Sequence, residues 1–200
     1  MSEERQFVWV RYQNEKSDHQ RQRLLIAARK AVATPPGAVP EVWPIYTSTK
    51  TADIAAEHVT AGIWGTHQQG SPHLVHQPKT AETKWPTDFG GACRLLFDEQ
   101  FTGNAQVRSP IDTLADDTIS KRLAVLSRTD EVDIAVSHIT SLVRLMRSTG
   151  TLIGFNYNNL YWAIRTWADL EKRTATMQQW SRSYFHTQSQ QAADAAGAGR

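Results

Sequence analysis

The chain has 200 residues, with 22 Lys and Arg against 20 Asp and Glu, so its net charge is only +2. Apolar residues make up 40% and charged residues 21%, the balance of a globular protein with a core and not of a disordered or fibrous chain. One cysteine, Cys93, excludes an internal disulfide framework, and no run reaches the roughly 18 apolar residues of a membrane span.

The N-terminus, Met1-Ser2-Glu3-Glu4-Arg5, is charged and lacks the apolar stretch of a signal peptide, which points to a cytoplasmic protein. Ser2 is a helix-capping residue with Glu3 and Glu4 behind it, so a first helix is predicted there. A second helix is predicted from Ser17 to Val32, with Leu24, Leu25, Ala28 and Ala31 inward. Thr34-Pro35-Pro36-Gly37 stops it. Pro40 to Tyr46 is a short segment in which Val42, Trp43 and Ile45 are expected to plug a core. Asp53 opens a third helix to about Gln69, although Gly62 and Gly65 weaken its helical pattern. Gly70 to Pro86 holds three prolines and no period, and reads as a long loop. Asp88 caps the next helix, whose apolar set is Ala92, Cys93, Leu95, Leu96 and Phe97.

Residues 102–110 are polar and read as a linker between an N-terminal helical bundle, 1–101, and a C-terminal one, 111–186. In the second bundle, the stretch from Thr118 to His186 reads as three helices in a row and carries the clearest stripes. Ile119, Leu123 and Leu126 mark one helix. Val132, Ala135, Val136, Ile139, Leu142, Val143 and Met146 mark the next, at spacings of three or four residues. Leu160, Ala163, Ile164 and Trp167 form another stripe, and Met177, Trp180 and Tyr184 a further one. Arg165 and Asp169 are spaced for an i, i+4 pair. Residues 187–200 are Gln-, Ala- and Gly-rich and are expected to be disordered. The class is all-α: two small helical bundles joined by a short linker.

The charge is uneven. Residues 16–30 carry five basic residues against one acid, and residues 118–186 carry nine against five. Basic residues gathered on a surface are the electrostatic footprint of a polyanion partner. Lys121, Arg128, Arg144 and Arg147 lie off the apolar stripes, where Lys and Arg ordinarily form a solvated face. Six of the seven tryptophans read as core at helical spacing, and Trp85, in a polar loop, is the exception.

Other chemistry is weaker. His67, His73 and His76 lie close together, and His73-x2-His76 is a chelate spacing, but further ligands are poor: Glu82, or Cys93 far along the chain. The bland alternative is loop and helix-end histidines. Cys93 among apolar neighbours reads as core and not as a nucleophile. Asp112, Asp116 and Asp117 read as acids at a helix start, or as metal ligands of a nuclease. No Gly-rich phosphate loop is present. No cofactor is expected.

Several pieces together carry a resemblance. They are Leu25-Ile26-Ala27-Ala28-Arg29-Lys30, Pro35-Pro36-Gly37, Trp43-Pro44, His67-Gln68-Gln69 and Phe89-Gly90-Gly91-Ala92-Cys93-Arg94-Leu95. Later come Lys121-Arg122-Leu123, Leu142-Val143-Arg144-Leu145-Met146-Arg147, Leu160, Trp167 and Trp180-Ser181-Arg182-Ser183-Tyr184-Phe185. In this order and spacing the chain resembles the CasB family, the small subunit of the type I-E CRISPR surveillance complex, Cascade. The resemblance runs to about His186. It implies an all-α, non-catalytic subunit present as a pair along the belly of the complex. Its partners would be other Cascade subunits, a second copy of itself, guide RNA and target DNA. Its basic surface would support the target strand and the displaced strand of the R-loop in antiviral defence, and a separate helicase–nuclease would cut. By position the resemblance carries over Arg29, Lys30, Arg94, Lys121 and Arg122. Arg144, Arg147 and Arg173 join them on the face argument. Two departures bear on this surface: Gly91 stands where the family commonly has Arg, and the loop around Trp85 is longer. A metal-dependent nuclease and a generic helical scaffold remain the alternatives.

Overall fold

The structure is a computed structural model that describes residues 6–47, 50–78, 87–101 and 118–185. The described chain is all-α. Its helices are α1 (Val8–Asn14), α2 (Asp18–Ala31), α3 (Thr51–Gln68), α4 (Phe89–Phe101), α5 (Thr118–Arg128), α6 (Val132–Ser148), α7 (Tyr157–Arg165) and α8 (Leu170–Phe185), with a 3-10 turn at Pro40–Ile45. The one extended pairing among the described residues is an isolated bridge between His76 and Phe155.

Capping residues set several helix starts. Ser17 Oγ accepts from Gln20 N at 3.4 Å and opens α2. Asp88 Oδ1 accepts from Gly91 N at 2.9 Å and opens α4, as its place in the sequence predicts. Asn156 Oδ1 does the same for Asn158 N at the start of α7. The first helix differs from expectation. It begins at Val8 after Phe7, and Ser2, Glu3 and Glu4 lie outside the described residues. Phe7, Val8 and Trp9 are buried, so apolar anchoring and not a cap fixes this end.

α3 runs straight through Gly62 and Gly65. The reason is close packing. A Cβ on Gly65 would lie 2.9 Å from Arg29 N and 3.0 Å from Ala28 atoms, so only glycine lets α2 approach this near. The intrinsic helix cost of about 1 kcal/mol per glycine is offset by that contact. Gly90 is tighter still: a Cβ there would come within 2.1 Å of Trp180 O, which fixes α4 backbone-to-backbone on α8.

The C-terminal part holds four helices where the stripes suggested three. Thr166, at φ −110° and ψ 13°, ends α7. Asp169 then caps α8, its Oδ1 accepting from Glu171 N at 3.1 Å and Lys172 N at 3.2 Å. The expected Arg165–Asp169 pair does not form. Arg165 Nε reaches instead to Asp53, a buried acid on α3.

Among the described residues, one hydrophobic cluster runs from Phe7 to Tyr184 and takes side chains from both halves of the chain. α3 packs on α2 and also on α6 and α7, and α4 packs on α8 and α6. Trp9 Nε1 donates to Asn158 Oδ1 at 2.7 Å and ties α1 to α7. Contacts therefore cross the expected division at 102–110. That linker, and the tail at 187–200, lie outside the described residues. Four apolar assignments need correction, among them Val132 at the start of α6 and Trp162 on α7, both exposed. Trp43 is 57% exposed, since Val42 and Ile45 fill the core beneath the 3-10 turn. Leu95 is likewise exposed, on the outward side of α4.

Candidate functional site

Basic side chains collect in two regions. The first is the last turn of α2, where Arg29 and Lys30 are exposed. Lys30 Nζ lies 3.3 Å from Glu41 Oε1, and such an exposed pair holds the side chain only weakly. The main packing partners of α2 are α3, α1 and the 3-10 turn, whereas those of α5 are α6 and α8. The α2 cations thus stand apart from the second region.

The second region is built on α5, α6 and α8. Amphipathic spacing turns Ile119, Leu123 and Leu126 into the core and leaves Lys121 and Arg128 exposed on α5. On α6 the same logic buries Ile139, Leu142, Val143 and Met146 and exposes Arg144. Arg122 is half-buried, and its Nε is shielded without a hydrogen-bond partner among the described residues. Between α5 and α8 lies a groove of about 440 Å³. Its walls include Arg173, Arg182 and Leu170, with the hydroxyls of Ser127, Thr174 and Ser181. Arg173 Nη1 donates to Trp167 O at 3.1 Å, which orients that guanidinium. The helices meet closely here, since Ser120 Oγ and Tyr184 Oη are 3.0 Å apart.

Two expected cations serve the fold instead. Arg94 is only 6% exposed, so it is not part of a basic surface. It faces the interior of α4, pairs with Asp98 at 2.9 Å one turn on, and stands over the Phe97 ring. Burial still dominates at Asp98, whose carboxyl is pushed above its ordinary range by desolvation, with Arg94 opposing. Arg147 is exposed, but its Nη1 donates to Thr66 O at 3.2 Å and Gln69 Oε1 at 3.4 Å. It thereby satisfies carbonyl groups at the C-terminal end of α3.

The histidines do not gather as a ligand set. His67 and His76 flank Tyr157: His67 Nδ1 is 2.8 Å from Tyr157 Oη, and His76 Nδ1 accepts from Tyr157 N at 3.1 Å. Desolvation lowers both rings to a pKa of about 4, with Arg147 adding to the effect at His67, so both are neutral near pH 7. His73 is exposed beside a small cavity of about 150 Å³ that His67 and Arg147 also line. Cys93 is a buried thiol. Glu82, Asp112, Asp116, Asp117 and Trp85 lie outside the described residues. Among the described residues, no three His, Cys, Asp or Glu side chains converge on one point. No helix there is long and apolar enough to cross a membrane.

Sequence reasoning missed Arg182 and the exposed tryptophans Trp43 and Trp162. The signal for Arg182 was present: it lies two residues beyond Trp180 on a helix whose apolar stripe is Met177, Trp180 and Tyr184, and so falls off that stripe.

Fold and surface together define a helical protein that offers separated cations on the flanks of a rigid bundle. The model of the family CRISPR-associated protein Cse2 matches residues 25–185. The chain belongs to this family, which makes it a subunit of a CRISPR Cascade complex. Among solved structures it is similar to the crystal structure of CasB from Thermobifida fusca, with a TM-score of 0.59 at 15% identity. That match covers 89% of this chain and 95% of the other. No curated protein matches the sequence.

Proposed function

We propose that this chain is a non-catalytic small subunit that binds nucleic-acid backbone without reading sequence, and so stabilises an R-loop. The observation that carries the reading is the α5–α8 groove with Arg173 and Arg182 on its walls. Lys121 and Arg128 on α5 and Arg144 on α6 are further exposed cations. In RNA-guided recognition, base pairing reads the sequence and protein contacts support the strands. Cations then need only meet phosphates, and the affinity comes from released counterions. Serine and threonine hydroxyls in the groove suit the same phosphate oxygens. Arg29 and Lys30 make a second, separate basic spot, available to another part of a long strand. The described walls of the α5–α8 groove carry arginines, hydroxyls and apolar side chains, a set that suits support of a strand.

The test is fluorescence anisotropy of the full chain with unrelated DNA sequences at several salt concentrations. Affinity should fall steeply with salt and hardly vary with sequence. Charge reversal at Arg173 and Arg182 should lower the salt slope by about one unit per lost contact. A flat salt response, or strong preference for one sequence, refutes the reading. Metal-dependent cutting by the purified chain would establish the nuclease alternative instead.

A further inference from the structure

The flank of α8 opposite the phosphate groove carries a second groove, of about 420 Å³, between α7 and α8. Its chemistry is different. One wall is Trp162, which is 49% exposed, while Trp9, Trp64, Trp167 and Trp180 are each at most 3% exposed. Leaving an indole half in water forgoes burial that the other four obtain. The ring is nevertheless held in place. Arg165 stands 5.4 Å from its centroid and is itself anchored on buried Asp53, and buried Tyr161 meets the ring edge-on at 5.1 Å. The groove also holds a positioned amide. Gln179 Nε2 donates to Asp88 Oδ2 at 3.1 Å, and Asp88 is 4% exposed. Asn159 supplies a second amide and Lys172 a cation at the first turn of α8.

We propose that this groove seats an unpaired nucleobase of a single strand, stacked on Trp162, with the Gln179 and Asn159 amides toward its polar edge. The inference rests on the nucleic-acid reading above and adds the form of the ligand. A fixed aromatic face, amides and one cation match a flat heteroaromatic ring on an anionic backbone. An aliphatic anchor would leave the amides unused, and a duplex keeps its bases stacked out of reach. Lys172 and Arg173 are neighbours in sequence but line different grooves. A strand that crosses α8 from Arg173 past Lys172 presents a base to Trp162. Base–aromatic stacking of this kind tolerates any sequence.

The experiment uses the full chain with three labelled probes of roughly 12 nucleotides: a mixed-sequence single strand, the same strand with abasic sites, and its duplex. Trp162→Ala should weaken the intact single strand about ten-fold. It should leave the abasic strand and the duplex unchanged, and leave the salt slope unchanged. Trp162→Phe should retain most of the affinity. Thr176→Phe, which blocks the groove from the α8 side, should reproduce the loss without removing the ring. Circular dichroism checks that each variant folds. Equal binding of intact and abasic strands by the wild-type chain overturns the proposal. So does a Trp162→Ala or Thr176→Phe variant that binds all probes normally, and if either is instead lost from the assembled complex, the groove is a protein contact. Absence of salt-dependent binding to any probe would sink the phosphate reading itself, a separate outcome.

Discussion

Acid should unfold this protein through two histidines. His67 and His76 are each 3% exposed, and each has a folded-state pKa near 4 against an ordinary value of 6.5. A base whose folded pKa is depressed binds fewer protons folded than unfolded. Its contribution is therefore fully present above about pH 6.5 and is lost as pH falls toward 4. The depression of about 2.5 units corresponds to about 3 kcal/mol for each ring. Between those pH values each histidine adds a slope of about 1.4 kcal/mol per pH unit. Two such groups can remove half or more of the roughly 5–15 kcal/mol of an ordinary domain. Geometry says where the loss falls. Protonated His76 can no longer accept from Tyr157 N, and charged His67 would sit between the Tyr157 hydroxyl and the Phe155 ring, with Arg147 nearby. Urea denaturation at half-unit pH steps from 7.5 to 4.5 measures the slope. His76→Gln keeps an acceptor without a titrating group, so its curve should be shallower by the slope of one histidine. Carboxylates titrate in the same range, but the difference between the curves cancels them. Parallel wild-type and variant curves would refute the reasoning, whatever the absolute stabilities.

Other outcomes follow from named contacts. Gly90→Ala should destabilise by about 3 kcal/mol or more, because its Cβ would lie 2.1 Å from Trp180 O and a backbone atom cannot rotate away; a thermal melt within a degree or two of wild type contradicts this. Charge reversal at Lys121, Arg122 and Arg144 should leave the circular dichroism spectrum intact and impair target retention by the assembled complex in a gel shift. Leu142→Asp, at a fully buried position, should unfold the chain by burying an unpaired charge; a folded variant would void the core assignment of α6. Arg94→Ala should cost about 1–3 kcal/mol, by removing the part-buried Arg94–Asp98 ion pair, without weakening nucleic-acid binding in anisotropy.

Periodicity was a good guide wherever burial decided the structure. The α6 stripe was legible because Ala135, Ile139, Leu142, Val143 and Met146 recur at helical spacing and all are buried. Asp88 was legible as a cap because its preference for that position is local. Gly65 and Gly90 were not, since their role is set by a second helix that no local pattern reveals. Arg94 was misplaced for a related reason. It lies off the strongest stripe of α4, but α8 packs close there, and the nearby acid at Asp98 let it go inside. Trp43 and Trp162 read as core because a tryptophan at helical spacing usually is, and exposure depends on which neighbour is missing. The grooves were invisible for the same reason, since each needs walls from two helices.

The contrast between core and surface also bears on why 15% identity can accompany a shared fold over most of two chains. The helix positions here are fixed by steric facts: α2 against Gly65, α4 against Gly90, Tyr157 between two histidines. Such contacts fail if an atom moves by an ångström. A phosphate contact is far more permissive. A lysine or arginine reaches several ångströms, and counterion release rewards total charge and not its exact address. Arg182 offers on α8 the exposed cation that buried Arg94 does not offer on α4. The family pattern transferred residue by residue names Arg29, Lys30 and Lys121, which are exposed, but also Arg94, which is buried. We instead read the cations from which flank of which helix is open, and propose that the strand lies on the two sides of α8.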